Sequence, residues 1–556
     1  MFGWSSALAG FPSVSSAPEK ERRPPPPPTI LDFPAYNLPE SAGNDEVEKS
    51  LAEVHRILEA TRKPQDITIE NLKALNVNVE TDILASRIVR LDSSSFSPPL
   101  AWEDDSPNSS PLTEDGSPIL LDNGNPYPPK ERFEQLRDEL LFENDDAFRE
   151  IARLPPREGR ERVRVAQARK LWMGLERMAQ YWDSSMDDYY ERPATPKPQS
   201  ESGDKMQVDN TAPSETKDTS MDIDPPKENG KPESTPAGQE NLQPELVAMY
   251  KGRRIGAGHE MPEDIREETV RALAEMAAWP FGCQVSLPIL PPRLAMKTLL
   301  FPVRQTFGAA RSPRDRQLAR NGVMEGPVFV AQCRPDTCFR GPGDAPGSGT
   351  GEVCDLFREV GGMLLAAQER VRQGTTEIRP GEGKWWTQTP RWGGAPNDNV
   401  GDTNGSTNSD EKPDTENGGA RKRSKYDRGL SSSRRSSRKM SNADKWKLVQ
   451  PGPSLWDRRM RYIQIGKNRD SPYDDIYMLS SVNHHLAILH LRVHRRYLEV
   501  VTAGESDFPP DSDTPEQAWH ELKLRRTKWY NLLDAQERLE VFKGIWSIFH
   551  YMLRRT

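Results

Sequence analysis

In the stretch IYMLSSVNHHLAILHLRVHRRY (476–497), Ile476, Leu479, Val482, Leu486, Leu489, Val493 and Tyr497 recur at steps of three and four. That period places apolar side chains on one face of an α-helix, so the stretch is expected to form one long helix. Further on, Pro509-Pro510 makes a loop, Asp513 or Thr514 is suited to cap a second helix, and Pro515 suits its first turn. Leu539, Phe542, Ile545, Trp546, Phe549 and Leu553 mark a third apolar stripe. Residues 446–556 therefore read as an antiparallel C-terminal helical bundle. This reading sets the expected fold class: mainly α with a small central α+β domain, modular, with long disordered linkers.

Upstream, residues 241–394 are the expected α+β domain. A helix opens near Pro262 and carries Ile265, Val270, Leu273, Met276 and Trp279, and β-prone runs follow at 296–303 and 326–333. Residues 352–371 return to helical spacing, with Gly361-Gly362 placed to permit a close crossing. Residues 129–192 read as a helical segment in which Trp172 and Trp182 lie on one apolar stripe, expected to pack in a core. Residues 45–92 form a shorter helical segment, opened by Asp45 and Glu48 at capping-box spacing.

Between these blocks the composition changes. Residues 1–44, a Pro-rich arm with a polyproline run at Pro24–Pro28, and the linkers 93–128, 193–240 and 395–445 are expected to be disordered. With 34% hydrophobic residues, 50 prolines and a mean hydropathy of −0.80, the chain cannot bury apolar surface along its whole length. Its net charge of −8 is small for 556 residues and decides nothing about nucleic acid. No apolar run approaches the roughly 20 residues that span a bilayer, so no membrane is expected. The first basic residue is Lys20, which argues against a secretory signal, and four cysteines give no disulfide framework. The expected compartment is the nucleus, with the cytoplasm as alternative.

The densest charge lies at 420–439, in two clusters: Arg421, Lys422, Arg423 and Lys425, then Arg434, Arg435, Arg438 and Lys439. Cations in a flexible segment suit the acidic grooves of import receptors, and also phosphate backbones. Ser97, Ser106, Ser110 and Ser117 each precede a proline, and Ser436 and Ser437 follow Arg434-Arg435, so all six are phosphorylation candidates.

The remaining candidates are weaker. Lys251, Arg253 and Arg254 precede Gly256-Ala257-Gly258 and could hold an anion, although the third glycine of a dinucleotide loop is missing. Trp385, Trp386 and Trp392 alternate with cations and could stack on bases or peptides. Cys283, Cys333, Cys338 and Cys354 lack paired zinc spacing. His490 and His494 would share a helix face, but Arg492, Arg495 and Arg496 repel a cation. No catalytic constellation, metal site or cofactor is expected. The expected function is thus a non-enzymatic interaction or scaffold protein with protein partners, regulated through its linkers. Nucleic-acid association, or an enzyme or ligand-binding domain in 241–394, are the alternatives.

Overall fold

The computed structural model describes residues 22–36, 61, 66–89, 117–193, 246–288, 292–296, 299–375, 460–507 and 519–555. The chain divides into two compact units: residues 1–26 with 184–254, and residues 27–183 with 255–556.

The first, smaller unit holds an antiparallel ribbon. Ten helices and eleven strands are described in the second, so the labels below run along the whole chain: α1 Ile69–Ala74, β1 Val77–Ile83, α2 Ala85–Ile88, α3 Lys130–Leu140, α4 Asn144–Ile151, α5 Arg169–Trp182, β2 Asp188–Pro193, β3 Leu246–Lys251, α6 Glu263–Ala278, β4 Cys283–Ser286, β5 Arg293–Met296, β6 Leu299–Pro302, β7 Phe307–Arg311, α7 Arg316–Arg320, β8 Val323–Arg334, α8 Thr350–Val371, β9 Arg461–Ile463, β10 Tyr473–Val482, β11 His485–His494, α9 Arg495–Ala503, β12 Leu522–Thr527, β13 Tyr530–Asn531 and α10 Ala535–Met552. The ribbon of the small unit is β2 with β3, and Arg22 bridges antiparallel to Tyr250.

The second unit is built on a nine-stranded mixed sheet in the order β1-β12-β11-β10-β8-β7-β4, with β13 beside β11 and β9 beside β8. This overturns the mainly α expectation. Residues 446–556 do not form a helical bundle: the supposed long helix at 476–497 is the hairpin β10–β11, in which Tyr473 pairs with His494 and Val482 with His485. Its turn is Asn483-His484, with Asn483 in the left-handed region at φ 53°. Such a conformation suits a two-residue hairpin turn and costs asparagine little. The α+β reading of 241–394 also needs correction. Its strand β8 pairs parallel with β10 across more than 140 residues, Met478 opposite Val330 and Val482 opposite Arg334, so the block shares one sheet with the C-terminal part.

Helices cover both faces of that sheet. Successive residues of β8 enter opposite layers, Phe329 and Ala331 on one side and Val330 on the other. The same holds in β10 for Tyr477 and Leu479 against Ile476 and Met478. The first layer packs Phe133, Leu136, Trp172, Leu273, Phe542 and Trp546 from α3, α5, α6 and α10. The second packs Val360 and Leu364 of α8 and Tyr497 and Leu498 of α9. A strand buried on both faces has no polar side to alternate with its apolar one.

Helix α8 lies close to the sheet because of Gly361 and Gly362. A Cβ on Gly361 would meet Val303 at 2.9 Å, and one on Gly362 would meet Met478 at 2.9 Å. Among the described residues no helix is long and apolar enough to cross a membrane.

Candidate functional site at the carboxyl edge of the sheet

Strands β8, β10 and β12 run in one direction, because β8 is parallel to β10 and β11 is antiparallel to both β10 and β12. Their carboxyl ends meet at one edge, the place where open α/β sheets bind ligands. At that edge Arg334 closes β8, Ser480 nears the end of β10 and Arg526 nears the end of β12. Helix α8 faces them with Glu352, Asp355 and Glu359, all buried. Steps of three and four bring those three carboxylates onto one side of the helix.

The groups interlock. Arg334 donates to Asp355, to the Ser480 hydroxyl and, at 3.3 Å, to the Ser481 carbonyl, and its Nη2 lies 3.1 Å from Glu359. Arg526 Nη1 donates to Glu359 Oε2 at 2.6 Å, and the Ser480 hydroxyl donates to Glu359 Oε1. Burial opposes charge on Glu359, yet Arg526 and Arg334 together hold its carboxyl below the usual range. Burial dominates at Asp355 and pushes its carboxyl up against the pull of Arg334. The guanidinium of Arg526 also stacks at 4.4 Å on the Trp529 ring, and that of Arg334 lies 5.5 Å from it.

Residues 29–36, in neither helix nor strand, lie against this cluster. The Asp32 amide donates to the Thr337 carbonyl at 2.9 Å, and the Ala35 amide donates to Glu352 at 2.8 Å. Arg340 grips the Asp32 carboxylate with both Nε, at 3.0 Å, and Nη2. The Phe33 ring stacks on Trp529 at 5.2 Å and meets His485 edge-on at 4.9 Å. The Arg526 guanidinium lies 4.5 Å over the Tyr36 ring. Burial lowers His485 to about 4, so its ring is neutral at pH 7. The fit is incomplete. Among the described residues the Tyr36 hydroxyl, the Gln332 amide and the Nε and Nη2 of Arg526 are buried without a hydrogen bond. Gln332 stands opposite Ser480 in the β8–β10 register.

The residues singled out from sequence lie elsewhere. In the small unit, Lys251 is exposed on β3, whereas Arg253 and Arg254 are buried. Arg254 is fully engaged by Asp187 at 2.7 Å, the Tyr189 hydroxyl at 2.6 Å and the Pro26 carbonyl at 2.9 Å. It therefore offers no open anion site. Gly258 is required by the Trp182 ring, which a Cβ there would meet at 2.4 Å.

The histidines do not share a helix face: both are on strand β11. His490 is hydrogen-bonded to Asp475 at 2.8 Å, and His494 caps α9 by accepting the Arg496 amide at 3.0 Å. Cys283, Cys333 and Cys354 are buried and Cys338 is exposed, all as free thiols. Trp172 lies in the core, its indole donating to the Glu139 carbonyl at 3.1 Å. Ser117 is exposed. The other serine candidates, the basic segment 420–439 and Trp385, Trp386 and Trp392 lie outside the described residues.

Sequence reading missed the edge cluster entirely. Its one signal was Glu352, Asp355 and Glu359 on one side of a helix that otherwise carries its apolar residues through Val353, Leu356, Val360 and Leu364. Comparison with protein-family models, with curated proteins and with solved structures finds no match to this chain.

Proposed function

We propose that this chain is a non-enzymatic interaction protein that engages partner proteins through the crevice at the carboxyl edge of its sheet. The observation that carries the reading is the seating of residues 29–36: a segment in neither helix nor strand is held there by side-chain sockets and backbone hydrogen bonds. The carboxylates of the cluster favour binding over catalysis. Asp355 and Glu359 are tied to arginines, and a general acid or base needs a free approach to its substrate. Import through the 420–439 segment and phosphorylation of Ser97, Ser106, Ser110, Ser117, Ser436 and Ser437 complete the proposal, as a nuclear component regulated through its linkers.

Affinity capture of the full chain from cells tests the reading. The wild type should retain stoichiometric partner proteins that the Arg340→Ala/Trp529→Ala variant loses. Absence of such partners, or their full retention by the variant, would overturn it. Deletion of 421–439 in a fluorescent fusion tests the compartment; unchanged localisation refutes that part.

A further inference from the structure

We infer that residues 29–36 hold the place of a partner's peptide, and that the crevice selects an extended segment with an acidic residue, an aromatic directly after it and a tyrosine three residues beyond. This rests on the crevice being the partner site. Each socket selects one chemistry. The guanidinium fork of Arg340 matches a carboxylate in two-point contact, here that of Asp32. The slot between Trp529 and His485 takes a flat ring, here that of Phe33. The guanidinium of Arg526 takes a second ring, here that of Tyr36. The Thr337 carbonyl and the Glu352 carboxylate accept backbone amides, so they fix an extended register without regard to sequence.

Two observations mark the resident segment as displaceable. It pairs with no strand of the sheet, and Ile30 within it is 86% exposed. It also leaves the Nε and Nη2 of Arg526, which lies over the Tyr36 ring, and the Tyr36 hydroxyl without hydrogen bonds in a buried place. Native structures rarely leave such groups unmatched. A partner peptide that brings an acceptor to Arg526 fits the crevice better than the chain's own segment does.

The test uses the full chain and a fluorescein-labelled synthetic peptide of residues 27–36, PPTILDFPAY, read by anisotropy. Asp32→Ala/Phe33→Ala should bind it at least about tenfold more tightly than wild type, because a tethered competitor acts at an effective concentration near the millimolar range. Adding Trp529→Ala, or replacing the peptide's aspartate by asparagine, should abolish the gain. Equal weak binding by wild type and variant would overturn the proposal.

Hydrogen exchange on the unaltered chain covers the case of a misfolded variant. Saturating peptide should speed exchange of the Asp32 and Ala35 amides, and unchanged rates would overturn it equally. A wild-type dimer dissolved by the peptide would assign the sockets to a second copy's arm and overturn the partner assignment. If these tests fail while Arg340→Ala/Trp529→Ala still loses captured partners, the motif falls and the partner site stands.

Discussion

Replacing Glu359 by alanine should be among the most damaging single changes in the larger unit. Glu359 accepts from Arg526 at 2.6 Å, lies 3.1 Å from Arg334 and accepts the Ser480 hydroxyl. Without it Arg334 keeps Asp355 and the Ser481 carbonyl. Arg526 has less in reserve: its Nε and Nη2 lack hydrogen bonds among the described residues, and it keeps the rings of Tyr36 and Trp529 and a charge interaction with Asp355, which Arg334 already engages. A buried guanidinium left without its counter-charge costs about 3–5 kcal/mol. At about 1.4 kcal/mol per decade, the folded-to-unfolded ratio falls by a factor between roughly one hundred and a few thousand. Urea melts of the full chain followed by tryptophan fluorescence would read this as a lower midpoint at constant slope. Lys73→Ala, which breaks an exposed pair with Glu70 at 2.8 Å, is the control and should cost about 0–1 kcal/mol. A Glu359→Ala cost equal to that of the control would refute the reasoning. So would a double variant, Glu359→Met/Arg526→Leu, no more stable than Glu359→Ala alone, because removing both charges should restore most of the loss.

Gly544→Ala should destabilise by about 1–3 kcal/mol, despite alanine's better helix propensity, because its Cβ would meet Ile488 at 2.6 Å and Ala85 at 3.0 Å; a denaturation midpoint at or above wild type would contradict this. Burial depresses His485 and His494 to about 4 and His550 to about 3, against 6.5 unfolded. The unfolded chain therefore binds more protons below pH 6.5, so their contribution is complete above that pH and is lost as pH falls towards 4 and then 3. His550→Phe, which preserves the stack on Tyr127 at 4.9 Å, should flatten the acid limb of a stability–pH profile, and an unchanged limb would count against it. Because β8 pairs with β10, residues 241–394 expressed alone should show no cooperative unfolding in calorimetry, whereas a cooperative transition from that fragment would contradict the shared sheet.

What could be read from sequence depended on how local the deciding contacts were. Helices α5, α6, α8 and α10 were legible because each shows apolar residues at helical spacing within its own span, although α8 and α10 are buried nearly all round. The stretch 476–497 was misread because both faces of its strands are buried. Ile476, Leu479, Val482, Leu486 and Leu489 fit a helical period, but the positions between them are buried as well, as the apolar Tyr477, Met478 and Ala487 and as the polar Ser480 and Ser481. The decisive signal was Asn483, whose positive φ reverses the chain, together with apolar runs of strand length on either side. The edge cluster was illegible for a different reason. Arg334 and Asp355 stand 21 residues apart, but Arg526 reaches Glu359 across 167, and only the register of β8, β10 and β12 brings them together. Residues 29–36 offered a polyproline context and no hint that Asp32, Phe33 and Tyr36 would meet side chains more than 300 positions away.

The placement of that cluster bears on its purpose. The middle of the sheet is apolar on both faces, so this sequence is able to fill a strand-to-helix contact with Leu, Val, Ile and Met. At the carboxyl edge it instead buries Arg334, Arg526, Asp355 and Glu359, although well-packed apolar residues of similar volume are often as stabilising or more so. Folding stability therefore does not explain these four charges, whereas the proposed recognition would. Arg526 lies over the Tyr36 ring and, with Arg334, against Trp529, the platform of Phe33, so the charges hold the ring sockets in place where an apolar floor would leave them free to slide. The double variant Glu359→Met/Arg526→Leu separates the two roles. It should keep the fold and its urea midpoint while losing the trans peptide. If the peptide still bound with unaltered affinity to that floor, with Asp32 and Phe33 also replaced, the charges would be structural and the recognition argument would fail.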